Sequence, residues 1–394
     1  MDTEEVMRIC FTTSDDLSQI GGAEWSIRRI ADYMANNGTQ IDIVCFDLDS
    51  VGHTWGTKIP GVTQLPSWRP ELRLFQIRQP NEIPDISKSY RSVAIALERL
   101  HELYNYDLFH AFFLSSMGFI TTLTGRKVRR PVIVSARGSD INRDTYSTMR
   151  LASIMWTIQH ATRLTFVSNA LLELANTLIP CLDRSHVILN ATSSEFFTGS
   201  INSMMTKPEG FVIGGAGLLS YKKNWIELLE IVARLRKQQL PVKLLWIGEI
   251  ALSELNTISQ SIRSLSLQDH ITITGKLPHE SMIEAMKLLD VFVSTSLDEG
   301  CPNACLEAML AARPIVAFDV GAFPQLIHSG KEGILLRLTT TSEFVDVISS
   351  LYFDNALATK LGYAAKERVL QDFTTAKERD QWESCYQLAL LAYE

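Results

Sequence analysis

The sequence predicts an α/β protein built from two doubly wound domains, each a parallel sheet covered by helices on both faces. Three observations carry that prediction. The chain has 394 residues, more than one hydrophobic core organises comfortably. Short apolar runs alternate with helical patterns through the first half, and the same alternation restarts in the second. Between the halves, Thr192 to Gly210 (TSSEFFTGSINSMMTKPEG) is rich in Ser, Thr and Gly and has no periodicity, as befits an interdomain linker. The expected domains are 1–195 and 208–372.

In the first domain, strands are expected at Met7 to Thr12, Ile41 to Phe46, Leu108 to Ala111, Val132 to Ala136 and Arg163 to Val167. A helix opened by a glycine pair lies between the first two strands. Ile27, Ile30, Ala31 and Met34 share one of its faces, and Gly38 stands just past its end, where a glycine can close a helix. Strands recur at Phe211 to Gly214, Lys243 to Ile247, His270 to Thr274, Val291 to Ser294, Pro314 to Phe318 and Gly333 to Leu336. The last stretch, 375–394, has a helical pattern and no following strand, so it is expected to pack back on the first domain. Ligands bind beyond the carboxyl ends of strands in such sheets. Two domains facing each other would form a central cleft lined by loops from both.

Composition narrows the function. Apolar residues make up 46% and charged residues 21%, the balance of an ordinary folded enzyme. A formal charge of −7 argues against nucleic acid, whose phosphates call for a basic surface. Six cysteines are scattered. Cys10 and Cys45 fall in strand-like runs, and Cys301 with Cys305 is a lone C-x3-C that makes a poor zinc site. A reduced, cytoplasmic protein is expected, because the acidic start MDTEEVMRICF runs straight into a strand. No stretch reaches the roughly 20 apolar residues of a membrane span. Any membrane contact is expected to be peripheral, at the inner face.

The most informative segment is Ser294 to Ile327, STSLDEGCPNACLEAMLAARPIVAFDVGAFPQLI. Asp298, Glu299 and Gly300 follow a strand, Pro302 suits the first turn of a helix, and Leu306 to Leu310 continues it. Glu307 therefore sits on the helix and Glu299 on the loop before it. A helix carboxylate can accept two hydrogen bonds from a ribose diol, and amides at a helix start can meet a diphosphate. Two glutamates at this spacing are otherwise solvated surface charges. The whole string decides between these readings: from Ser296 through Ala317 it resembles the E-x7-E pattern of retaining glycosyltransferases of family 4, the glycosyl transferases group 1, which have the GT-B fold of two Rossmann-like domains.

The resemblance extends over nearly the whole chain, more diffusely before Gly210. It implies that Glu307 binds ribose hydroxyls and Glu299 contacts the donor sugar. It places the backbone of Gly300, Cys301, Pro302, Asn303 and Ala304 near sugar and phosphate, with N–H donors from all but Pro302. Gly217 to Asn224 (GLLSYKKN) resembles the family's G-R-L-x-x-x-K-G, whose arginine and lysine neutralise the departing diphosphate. Lys223 takes the lysine position as a point charge. Leu218 stands at the arginine position, a departure that removes a cation from the leaving group. Lys222 and Arg137 are candidates to replace it.

Ile20 to Glu24 (IGGAE) resembles the family loop that reaches the donor diphosphate, with Gly21 and Gly22 allowing close backbone approach. A plain turn is the alternative. Asp107 to Phe112 (DLFHAF) resembles D-V-V-H-A-H. His110 is thereby a candidate catalytic group, or else a structural histidine, since Phe112 replaces the second histidine. Ser135 to Ile141 (SARGSDI) resembles the family's R-G-S-D turn. That implies an acceptor-side role for Arg137 and Asp140, which otherwise pair to shape the turn. TGKLPHE matches G-x-V-x-x-E and sets Lys276 and Leu277 at the base.

The implied reaction transfers a sugar from a nucleoside diphosphate, UDP or GDP being favoured, to an acceptor hydroxyl with retention and without metal or other cofactor. The acceptor class stays open among sugars, glycans, lipids and small molecules. Basic and aromatic residues in WRPELRLFQIRQP and GRKVRRP would suit anionic lipid headgroups, or are simply solvated. Three other readings compete. Asp47-Leu48-Asp49 reads as a metal-binding D-x-D, although turn-forming aspartates are commoner. Leu218 and Phe112 would suit a non-catalytic sugar-nucleotide-binding subunit. A nucleotide-sugar epimerase would share the fold. A dinucleotide dehydrogenase is excluded, because neither domain's first strand is followed by G-x-G-x-x-G.

Overall fold

A computed structural model describes residues 6–14, 21–47, 62–78, 86–196, 206–338 and 341–393. The chain divides into two compact units, Met1–Leu189 with Glu378–Glu394, and Asn190–Lys377.

The first unit holds strands β1 (Arg8–Thr13), β2 (Gln40–Asp47), β3 (Val62–Leu65), β4 (Leu72–Arg78), β5 (Leu108–Phe112), β6 (Val132–Ala136), β7 (Arg163–Phe166) and β8 (Ser185–Val187). They form one sheet in the order β3-β4-β2-β1-β5-β6-β7-β8, parallel except where β3 runs against β4. The predicted face of the helix Gly22–Asn36 is buried through Ile27, Ile30, Ala31 and Met34, and Gly38 follows it at a positive φ of 82°. Trp382, Cys385, Tyr386 and Ala389 of the final helix, Thr375–Leu391, join Ile9, Phe11, Ile41 and Ile43 in the same core.

Strands β3, β4 and β8 have no counterpart in the sequence reading. The segment from Trp68, read as a basic and aromatic surface, contains β4 instead. Arg73 lies inside that strand because Asp42 on the neighbouring β2 receives its guanidinium at 2.7 and 2.8 Å. A charge paired across a sheet does not interrupt a strand, although it interrupts the apolar pattern. Trp68 and Arg69 are likewise bound to the fold. The Trp68 indole N–H donates to Asp32 at 2.9 Å, and Arg69 reaches the Asp32 carbonyl and Asn36.

The second unit carries β9 (Phe211–Ala216), β10 (Val242–Ile247), β11 (Ile271–Ile273), β12 (Val291–Ser294), β13 (Ile315–Phe318) and β14 (Gly333–Leu336). Their order, β11-β10-β9-β12-β13-β14, is the 3-2-1-4-5-6 order of a nucleotide-binding sheet, all parallel. The units part between Leu189 and Asn190, earlier than the expected 195. The Asn190 side-chain amide donates to the Cys301 carbonyl at 2.8 Å, and the Thr192 N–H to the Phe373 carbonyl at 3.0 Å. These bonds tie the start of the supposed linker to the second unit.

Candidate functional site

In an open α/β sheet the ligand crevice opens where strand order reverses, which in the second unit lies between β9 and β12. The loops leaving these strands are joined by backbone and side-chain contacts. Leu297 N–H donates to the Lys222 carbonyl at 2.9 Å, and the Thr295 hydroxyl donates to the Lys223 carbonyl at 2.8 Å. Lys222 Nζ lies 3.1 Å from Asp298 Oδ1, and Lys223 Nζ donates to Glu299 Oε1 at 2.6 Å. Sequence reading named these residues but did not pair Lys222 with Asp298 or Lys223 with Glu299.

Backbone packing sets these loops. Gly217 and Gly248 have φ of 114° and 141°, and a Cβ on Gly248 would stand 2.2 Å from the Gly217 carbonyl oxygen. That oxygen also accepts the Trp246 indole N–H at 2.8 Å. On the far side, Gly321 lets the Glu299 backbone approach so closely that a Cβ there would stand 2.0 Å from its oxygen. The Ala322 N–H then holds the Gly300 carbonyl at 3.0 Å. Only glycine fits such close approach.

Glu299 is buried. Burial pushes its carboxyl up, but Lys223 and Lys222 beside it, with hydrogen bonds from Lys223 and Ser296, outweigh burial and hold it below the usual carboxylate range. It is therefore an anion with a cation on one oxygen. Lys223 is partly exposed, so a polyanion arriving at this rim can compete for it. Leu218, at the missing arginine position, is 56% exposed.

The helix after this loop is Asn303–Leu310. Pro302 caps it in an extended conformation, one residue ahead of the first turn expected for it. Gly300, Cys301, Pro302, Asn303 and Ala304 form the helix entry, and Cys301, Asn303 and Ala304 are half-buried. Glu307 sits on the helix as predicted, 5% exposed. Its Oε1 is 3.3 Å from His279 Nε2. His279 follows the irregular segment carrying exposed Lys276 and half-buried Leu277. Sequence reading passed over it, because no spacing pattern links it to Glu307.

In the first unit the order reverses at β1, between β2 and β5. Gly21 caps the helix Gly22–Asn36, and both glycines are exposed. A Cβ on Gly21 would lie 2.5 Å from Glu24 Oε2, so the Glu24 carboxylate covers this helix start, where negative charge is favourable. Asp49 of the D-x-D lies outside the described residues. Among the described residues no group of three His, Cys, Asp or Glu is placed to hold a metal ion.

His110 is a correction to the expected catalytic set. It is fully buried, with Nδ1 2.9 Å from the Tyr386 hydroxyl and Nε2 2.7 Å from Ser135 Oγ. The ring stacks on Phe112, centroids 4.3 Å apart, and Trp382 lies at 4.9 Å. Burial, then nearby Arg137, pulls its pKa well down, so it is a neutral core histidine with both nitrogens engaged.

Asp140 is also structural. Its buried carboxylate accepts the backbone N–H groups of Leu114, Arg137 and Gly138 at 2.9, 3.1 and 2.9 Å. Arg137 is half-buried, with its backbone N–H on Asp140.

The basic run GRKVRRP is partly committed too. Lys127 binds Glu98 at 2.7 Å and Arg130 donates to Asn105 at 3.1 Å. No helix among the described residues is long and apolar enough to cross a membrane.

Comparison with known proteins agrees with this geometry. Residues 204–368 match the family model for glycosyl transferases group 1, and residues 20–196 match that for glycosyltransferase family 4. The chain is 28% identical to N-acetyl-alpha-D-glucosaminyl L-malate synthase of Bacillus anthracis, over 38% of each chain. The chain spans under half the length of the curated relatives it matches first. Sucrose-phosphate synthase from Thermosynechococcus elongatus has the same fold, with a TM-score of 0.81 at 18% identity over 98% of this chain and 100% of that one. So does Anabaena HepE, solved in complex with UDP, with 0.77 at 18% over 97% and 100%. Matched by glycosyltransferase family models over residues 20–196 and 204–368 and sharing the fold almost end to end, the chain belongs to the group 1 glycosyltransferases of GT-B fold.

Proposed function

We propose that this chain is a retaining, metal-independent glycosyltransferase that moves a hexosyl group from a nucleoside diphosphate sugar to an acceptor hydroxyl. The observation that carries the reading is the Lys223–Glu299 pair, 2.6 Å apart at the switch point of the second sheet. Glu307 on the adjoining helix accepts the ribose hydroxyls. Lys223 leaves Glu299 for the diphosphate, Glu299 turns to the donor sugar, and amides at the helix entry meet sugar and phosphate. The acceptor oxygen bonds to the anomeric carbon on the leaving-group face as the bond to phosphate breaks. The departing phosphate oxygen takes the acceptor's proton, so no second carboxylate is needed across the ring.

A uridine diphosphate sugar is the favoured donor, supported by the UDP bound in the Anabaena neighbour. The acceptor is a sugar, glycan, lipid or small-molecule hydroxyl. The test is a thermal-shift screen of UDP-, GDP- and ADP-sugars, repeated on Glu307→Ala, followed by turnover with and without chelator. Stabilisation by one nucleotide sugar that vanishes in the variant, with chelator-resistant transfer, is expected. Binding without transfer to any acceptor would replace the reading with a non-catalytic subunit. A free epimerised sugar nucleotide would replace it with an epimerase.

A further inference from the structure

Glu307 is buried on a short helix whose other inward side chains, Cys305, Leu306, Ala308 and Met309, are apolar or nearly so. A carboxylate there needs a polar neighbour to hold its charge and fix its plane. His279 supplies one, with Nε2 3.3 Å from Oε1 and a side chain 14% exposed. Pro278 precedes it with φ −57° and ψ 139° and leads into a turn at His279–Ser281. Proline restricts the backbone there, so the ring reaches Glu307 from a pre-set loop. A carboxylate offers about four acceptor directions, and a neighbour on one oxygen decides where the others point.

We propose that His279 is the positioning residue for the ribose-binding carboxylate, and that through Glu307 it sets the preference for ribonucleoside over 2′-deoxyribonucleoside diphosphates. The inference rests on the reading of Glu307 as the ribose ligand. A buried acceptor aimed at a hydroxyl rejects a ligand lacking it, because the acceptor is then left unpaired. A carboxylate free to swing loses that aim, since orientation fixed in advance is what makes the contact discriminate.

The experiment measures calorimetric affinities of the full chain for UDP and 2′-deoxy-UDP, and for GDP and 2′-deoxy-GDP. It uses the wild type, His279→Ala, His279→Gln and Glu307→Ala. The wild type is expected to favour the ribo form of its nucleotide by about tenfold or more, the scale of a hydrogen bond to a charged group. His279→Ala should bring the ratio within about twofold by weakening the ribo form alone, and His279→Gln, whose amide can donate to the carboxylate, should restore most of the preference. Equal weakening of both forms by His279→Ala, or an unchanged ratio, overturns the inference. If the ratio vanishes in Glu307→Ala yet persists in His279→Ala, only the inference fails. If it persists in Glu307→Ala, the ribose reading fails with it, as it does if the wild type binds neither nucleotide.

Discussion

Two buried acid–base pairs, one in each unit, use similar groups to opposite ends. In the first unit Arg29 meets Glu378 through two parallel bonds of 2.8 and 3.0 Å, with both side chains sealed at 1% and 2% exposure. In the second, Lys223 meets Glu299 through one bond of 2.6 Å, with the lysine at 20% exposure. A guanidinium fork locked on a carboxylate is a fixture, because two parallel N–H donors meet both carboxylate oxygens at once. An ammonium on a flexible stem is a point charge that can change partners. The contrast teaches that burial alone does not mark a working group; a rim position and a single exchangeable bond do.

The comparison can be broken in four ways. Glu378→Ala should cost about 3–5 kcal/mol of stability, the scale for stranding one half of a buried pair. Chemical denaturation reads this, and nucleotide binding should survive wherever the second unit stays folded. Lys223→Met should lower transfer about 100- to 1000-fold, as loss of one charge-stabilising donor does. Combining it with Glu299→Gln should recover stability but not transfer, and recovered transfer would make the pair structural.

Acid sensitivity should probe the Lys223–Glu299 pair more gently. Glu299 has a folded pKa below its unfolded one, so its contribution is fully present above the ordinary glutamate value. It is lost as pH falls through the folded value. Stability below about pH 4.3 should therefore fall more steeply in the wild type than in Glu299→Gln, by roughly 1.4 kcal/mol per unit of depression. An identical acid profile would contradict the assigned charge state. The smallest effect is expected from Leu218→Arg. The site is exposed, so folding should be unchanged, while kcat/KM should rise several-fold, about 1 kcal/mol of added leaving-group stabilisation. No gain would mean that Lys222 or another cation already fills the role.

Much of this was legible in one dimension. All six strands of the second sheet appear as apolar runs, and the four inner ones are buried on both faces, with no polar side to interrupt them. Glu299, Glu307 and Lys223 were marked by resemblance to the family's motifs, which are local strings in the sequence. What escaped was held together at long range. Arg73 in β4 is compensated by Asp42 on another strand. His110 takes its hydroxyl and aromatic partners from Tyr386 and Trp382, near the other end of the chain. His279 meets Glu307 across a short helix, Met282–Met286, and β12, and no spacing pattern links the two residues.

The final helix has a consequence for synthesis. Residues up to Leu189 leave the ribosome without Glu378 to neutralise Arg29, and without Trp382 and Tyr386 to close the core around His110. The second unit, contiguous from Asn190 to Lys377, has all its strands in hand before those residues exist. The first half to be translated is thus the last to be completed. A nascent chain halted short of Trp382 would carry the second unit with all its strands behind an open, aggregation-prone first one.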